Sequence, residues 1–309
     1  MRFLFEPGFF SSAPVGTAFV IGGVTAVVSA IVGVLTVVRG QSFAGHALTD
    51  VATTGGSGSF LLGISPLVGF IGAGVVGAGA MELAGVQRRR GRDVATGVVL
   101  GAATGLSALF LYLDTTRSAT TGVTQQILFG SIFTVDPSTI PVVIVLSVVT
   151  LALIGWMYRP LLLSSLSSEL ASARGVGVRR VSLLFMLTLA ISVGLSSIAI
   201  GSVLSTALLI GPAATSLRLT RNLRKAFVFA CVFGVLATWL GILFAYDSYY
   251  WDPSSQGLPV SFFIVAIIFL GYLVSGLTIV RRFVGPRVPT RGRAETPRRA
   301  RPSNVGEVV

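Results

Sequence analysis

Two side chains in this sequence have the types and the spacing to hold a metal ion. His46, the single histidine, and Asp50 lie in Ser42-Phe43-Ala44-Gly45-His46-Ala47-Leu48-Thr49-Asp50-Val51. On a helix, positions i and i+4 share a face, with Cβ atoms about 6 Å apart. An imidazole and a carboxylate so placed can take one divalent cation. Imidazole suits zinc and other transition metals, while carboxylate suits harder ions such as manganese. Two ligands leave the shell incomplete, so waters, Thr49, backbone carbonyls or a second copy of the helix must fill it. An incomplete site gives up its ion readily. A plainer reading of the same pair has the carboxylate binding the imidazole and fixing its tautomer.

The surrounding chain points to a bilayer. Of its 309 residues, 53% are hydrophobic and 11% charged, against roughly 25% charged in soluble domains. Long apolar runs occupy residues 16–38, 44–64, 67–86, 94–113, 139–157, 182–197, 200–217, 226–245 and 261–280. A span needs about 20 apolar residues, and in lipid only helices and closed barrels satisfy their own backbone groups. The runs lack the apolar–polar alternation of barrel strands. The expected fold class is therefore all-α, a polytopic membrane bundle of eight or nine helices, with an N-terminal segment 1–15, a membrane domain 16–280 and a basic tail 281–309. His46 and Asp50 fall in the second run, where ionisable groups face a partner, a cavity or a substrate path.

Charge sets the orientation. With nine crossings, all 23 basic residues except Arg2 and Arg117 lie on one side, which leaves 23 − 2 = 21 there. They include Arg88 to Arg90, Arg92, Arg159, Arg174, Arg179, Arg180, Arg218, Arg221, Arg224, Lys225, Arg281 and Arg282. That side is the cytoplasm. The N-terminus is then outside, and Asp114, Asp136, Asp247 and Asp252 face outward. This clustering between apolar runs accounts for the net charge of +12 without a nucleic-acid partner. An acid and a proline in Met1-Arg2-Phe3-Leu4-Phe5-Glu6-Pro7 occupy the place where a signal peptide's apolar region begins, so no cleavable signal peptide is expected.

Several chemistries are excluded. The only lysine is Lys225, in Arg221-Asn222-Leu223-Arg224-Lys225, so no P-loop can reach phosphates. One histidine rules out two-histidine zinc protease motifs. A single cysteine, Cys231, permits no intrachain disulfide. An enzyme active site carried by this chain alone is not expected. Glu82 is read as pairing with nearby arginines, and Asp93 as a favourable charge at a helix N-terminus. The glycines 69, 72, 74, 77 and 79 are read as packing positions. Thr54-Gly55-Gly56-Ser57-Gly58-Ser59 is read either as a helix broken beside a cavity or as a flexible bend. In the cytoplasmic loop 158–180, Ser167 or Ser168 caps a short helix that Gly175 ends. The tail from residue 285 lacks an apolar face; it is either a solvated extension or a contact for anionic headgroups.

The sequence resembles the permease subunit of the metal-type ABC importers, the zinc and manganese uptake family, from about residue 16 to 280. The matching stretches are Arg39 through Gly45-His46-Ala47-Leu48-Thr49-Asp50, Asp93-Val94-Ala95-Thr96-Gly97, Leu128-Phe129-Gly130-Ser131-Ile132, Glu169-Leu170-Ala171 with Gly175, and Ser205-Thr206-Ala207-Leu208-Leu209-Ile210-Gly211-Pro212-Ala213-Ala214-Thr215. The chain departs from the family pattern in carrying His46 before Asp50 rather than the reverse, and a serine, Ser168, before Glu169. The resemblance implies a bacterial plasma-membrane permease with a transported zinc or manganese ion and no permanently bound cofactor. It also implies three partners: a cytoplasmic ABC ATPase, an extracytoplasmic metal-binding protein and a second permease protomer. Ser168, Glu169, Leu170, Ala171 and Gly175 would then form the helix that meets the ATPase. Rival readings are a permease for a metal chelate or cobalamin-like cargo, a secondary transporter with Asp50 as its proton site, and a membrane scaffold.

Overall fold

The computed structural model describes residue 9 and residues 12–83, 92–117, 122–130, 132–251 and 257–284. Most of the N-terminal segment, Arg88 to Arg90, Asp252 and the tail from residue 285 lie outside the described residues. Among the described residues the chain is helical, without strands. In order the helices are α1 (Ala13–Val38), α2 (Ser42–Leu61), α3 (Pro66–Leu83), α4 (Arg92–Arg117), α5 (Val123–Phe129), α6 (Ile140–Leu166), α7 (Ser168–Ala173), α8 (Val178–Ile200), α9 (Ser202–Leu219), α10 (Leu223–Ser248) and α11 (Val260–Val284). Two short 3₁₀ turns precede α6. Asp136 caps the second, accepting from the Ser138 backbone N–H at 2.8 Å. That bond holds its carboxyl below the usual carboxylate range.

Eight of these helices are long and apolar enough to cross a membrane. The remaining long one, α2, has 20 residues, which at 1.5 Å per residue spans about 30 Å, a hydrocarbon thickness. Its glycines, serines and threonines make it too polar to face lipid all round. It is instead flanked by α3, α4, α8 and α9. The most apolar buried helix is α1, which packs against α6, α8, α9 and α10. α4, α6 and α11 present exposed Val98, Leu109, Val145, Trp156, Phe269 and Leu273, the side chains that acyl tails or another protomer can cover.

Hydroxyls inside such a bundle need partners. Several bond back to their own helix: Thr25 to the Ile21 carbonyl at 2.8 Å, Thr36 to Val32 at 2.8 Å and Thr150 to Leu146 at 2.7 Å. The two glycines at φ +73° and +80°, Gly130 and Gly201, cross backbone to backbone, where any side chain would strike the other strand of chain. Ser202 fastens the same crossing by donating to the Ile127 carbonyl at 3.1 Å.

Two charged helix ends meet partners. Glu82 of α3 stands 4.0 Å from Arg179 of α8. Arg218 of α9 lies 3.8 Å over the Tyr272 ring of α11. Three details differ from the sequence reading. α2 runs unbroken through Thr54 to Ser59, with neither a break nor a bend. Its glycines are seats for α3: the Gly55 backbone meets Gly69, and Gly56 meets the Phe70 ring. Residues 158–166, read as loop, continue α6 past Pro160. Finally, Gly72 and Gly79 of α3 face open space, whereas Gly69, Gly74 and Gly77 are packed.

Candidate metal-binding site

α2 carries both candidate ligands on the side flanked by α4 and α9. Its register is set from below by Gln41, whose carbonyl accepts the Gly45 N–H at 3.0 Å. It is set from the sides by buried Ala44, Ala47, Leu48 and Thr49. His46 is exposed in the protomer and Asp50 half-buried.

The two candidates are held by hydroxyls of different helices. Nδ1 of His46 lies 3.2 Å from Oγ1 of Thr206 on α9. The same hydroxyl lies 3.2 Å from Oγ1 of Thr49, which donates to the Gly45 carbonyl at 3.1 Å. With the Thr49 proton so committed, Thr206 donates to Thr49 and accepts from Nδ1–H. That assignment leaves Nε2 as a bare lone pair, the form that binds metals. On the other side, Thr104 of α4 donates to Asp50 Oδ2 at 2.9 Å. It also lies 2.8 Å from the Leu100 carbonyl, but its one proton goes to the stronger, charged acceptor.

No bond joins His46 to Asp50, so the plainer reading, a pair that satisfies itself, has no contact behind it. Among the described residues no group of three or more His, Cys, Asp or Glu side chains gathers anywhere. One chain thus offers two candidate ligands, with the hydroxyls of Thr49, Thr104 and Thr206 beside them. Thr104 and Thr206 were missed from sequence. Thr206 sits inside the most specific matching stretch, but nothing there signals that it faces α2. Above Asp50, α2 is further tied to α4, as Thr54 Oγ1 lies 2.9 Å from the Ala103 carbonyl and 2.8 Å from Ser107 Oγ. At the outer end of α2 a cavity of about 220 Å³ opens, lined by Phe60, Phe70, Gln126, Asp136 and Thr139 among others.

The second set of sequence-read residues forms α7. Ser167 is the cap, accepting the Leu170 N–H at 3.2 Å. Ala171 is buried, while Ser168, Glu169 and Leu170 are exposed. Gly175, at φ +75°, turns the chain toward α8. Ser167→Ala is expected to destabilise α7 by about 1 kcal/mol, read as faster hydrogen exchange at the amides of Leu170 and Ala171.

A bundle of apolar helices that encloses one polar helix, on which the candidate ligands His46 and Asp50 are each held by a hydroxyl of another helix, has the architecture of a membrane permease. Residues 13–276 match the model of the ABC 3 transport family, and the chain belongs to that family. It is a multi-pass cell-membrane protein. The manganese transport system membrane protein MntC of Listeria monocytogenes is 28% identical over 243 residues, 79% of this chain and 85% of that protein. The manganese import system permease protein ScaB of Streptococcus pneumoniae is 30% identical over 237 residues, 75% of this chain and 80% of that one. Among solved structures, PsaBC from Streptococcus pneumoniae in complex with Fab superposes with a TM-score of 0.74 at 24% identity, covering 87% of this chain and 92% of that chain, which supports the fold.

Proposed function

We propose that this chain is the permease of an ABC importer that carries a divalent transition-metal ion, zinc, manganese or iron, into the cell. The observation that carries the proposal is the presence of His46 and Asp50 on one face of α2. They are not bonded to each other, and each is held by a hydroxyl from another helix. Nε2 and the second carboxylate oxygen would then be left to hold an ion. The names of the manganese-transporting relatives support the cargo class.

Four further parts complete the reading. A second protomer would double the ligand set to two imidazoles and two carboxylates. A cytoplasmic ATPase would seat against Ser168, Glu169 and Leu170, with Ala171 and Gly175 shaping α7. An extracytoplasmic metal-binding protein would deliver the ion at the outer face, and membrane lipid would cover the apolar flanks. ATP binding and hydrolysis on the partner closes one side of the path and opens the other, and the ion rests on His46 and Asp50 between the two.

The test is uptake of Mn²⁺ or Zn²⁺ into liposomes that hold the permease with its ATPase, read with an enclosed metal indicator. Uptake is expected only with ATP and the ATPase, and free ions should compete while a chelated form does not. Flux driven by a proton gradient without ATP, or competition by the chelate alone, would overturn it.

A further inference from the structure

The metal ligands and the ATPase-facing helix are far apart in sequence, yet one side chain connects the elements that carry them. Arg39 ends α1, three residues before α2 begins. Its Nη1 donates to Ser164 Oγ at 3.0 Å and to the Leu161 carbonyl at 3.3 Å, both on the cytoplasmic extension of α6. Its Nε donates to Oε1 of Gln41 at 3.4 Å, and Gln41 is the residue that caps α2. The guanidinium lies 5.1 Å over the Phe185 ring of α8. Ser164 accepts from Arg39 and donates to the Leu161 carbonyl at 2.9 Å.

The positions give this junction a mechanical meaning. Ser164 stands four residues before α7, and Pro160 marks the point where α6 leaves its apolar run. A proline inside a helix removes one backbone bond and permits a bend there. The segment from Leu161 to α7 can therefore pivot as a unit. On the other side, Arg39 lies seven residues from His46, and the helix between is anchored by the Gln41 carbonyl to Gly45 N–H bond. A guanidinium is a planar fork of fixed geometry that never loses its charge. Displacement of the α6 tip thus acts on the start of α2 through Arg39, and the regular helix conveys it to His46 and Asp50.

We infer that Arg39 is a coupling residue, which transmits movement of the ATPase-facing helix α7 to the metal-holding helix α2. This rests on the permease reading above. It adds that ATP hydrolysis and metal release are linked through one identifiable junction. Arg39 touches no metal in this scheme and its role is positioning.

The experiment measures ATP hydrolysed per Mn²⁺ ion delivered, with the permease and its ATPase together in liposomes. Arg39→Gln is expected to leave hydrolysis within about twofold of wild type while uptake falls on the order of tenfold, the scale of one charge-assisted hydrogen bond. The ATP cost per ion rises in proportion. Ser164→Ala, which removes the 3.0 Å bond and keeps the arginine, should raise the same ratio about twofold to threefold. Arg39→Lys should lie between wild type and Arg39→Gln, because lysine keeps the charge and loses the fork. A merely structural role would lower hydrolysis and uptake together and leave their ratio unchanged, which would overturn the inference. If Arg39→Gln does not assemble, an unchanged ratio in Ser164→Ala overturns it alone. Failure of the wild-type complex to take up Mn²⁺ with ATP sinks the permease reading itself, and is thereby distinct from failure of the junction.

Discussion

Asp50→Ala is expected to lower ATP-driven metal uptake by on the order of a hundredfold, because a direct ligand should matter at least as much as the outer groups that orient ligands. The protein should still insert and assemble, for a local reason. Without the carboxylate, the Thr104 hydroxyl retains the Leu100 carbonyl at 2.8 Å as acceptor, so no polar group is stranded. His46→Ala has the same protection, since Thr206 keeps Thr49 at 3.2 Å. Uptake and folding are therefore separable at both positions. Asp50→Asn sharpens the test: its amide oxygen can still accept from Thr104, so geometry is kept and charge is lost. It should behave like Asp50→Ala. The two ligands also differ in preference. Loss of the imidazole should depress Zn²⁺ uptake more than Mn²⁺ uptake, because the remaining carboxylate favours the harder ion. Measured initial rates for both ions in the three variants decide this. Near-normal uptake in all three would remove His46 and Asp50 from the ion's path.

The order of the two candidate ligands along α2 has a structural context. The family pattern has the acid first, and this chain has His46 one turn nearer the start of α2 than Asp50. Each is matched by a hydroxyl on its own flank, Thr206 of α9 for the imidazole and Thr104 of α4 for the carboxylate. The exchange therefore preserves a held pair on the same face and shifts their depths by about one helical turn, near 6 Å.

What could be read from the sequence is what depends on local composition. Every apolar run became a helix, most with ends close to those expected: 226–245 lies within α10 and 182–197 within α8. The cap and the stop of α7 were also legible, because Ser167 and Gly175 act on their own neighbours. The cytoplasmic part of α6 was not, because Arg159 and Pro160 interrupt the apolar pattern without ending the helix. The long-range polar partners were equally hidden. Thr104 is 54 residues from Asp50, and Thr206 is 160 from His46. Arg39 reaches Ser164 across 125 residues. A threonine in an apolar run looks the same whether it bonds its own helix, as Thr25 does, or a ligand on another. Gly55 and Gly56 were misread for a related reason: a missing side chain shows that space is small, but not which neighbour occupies it.

That crowding leads to the largest expected effect on stability. At Gly55 and Gly69 the backbones of α2 and α3 touch. A methyl group on either glycine would collide with the carbonyl oxygen of the other, and on Gly55 also with the Ala73 methyl. Such approach is how small residues hold membrane helices together, through van der Waals contact and Cα–H···O bonds. Overpacking typically costs 1–3 kcal/mol, and Gly55→Val should reach about 3 kcal/mol, because the obstructing atom is backbone and cannot rotate aside. The displaced helix is the one that carries the site. Thr54, its neighbour, is bonded to α4, so α2 cannot simply translate away from α3 and must tilt, moving Asp50 one turn below. Gly55→Val and Gly69→Val should thus lower the apparent melting temperature of the detergent-solubilised protein and reduce metal uptake as well. Gly72 and Gly79 are the internal controls, since each leaves open space in the same α3. Gly72→Ala and Gly79→Ala should stay within about 0.5 kcal/mol of wild type, as surface substitutions do. Equal losses at all four positions would mean that the α2–α3 seam is not the constraint that places the metal ligands.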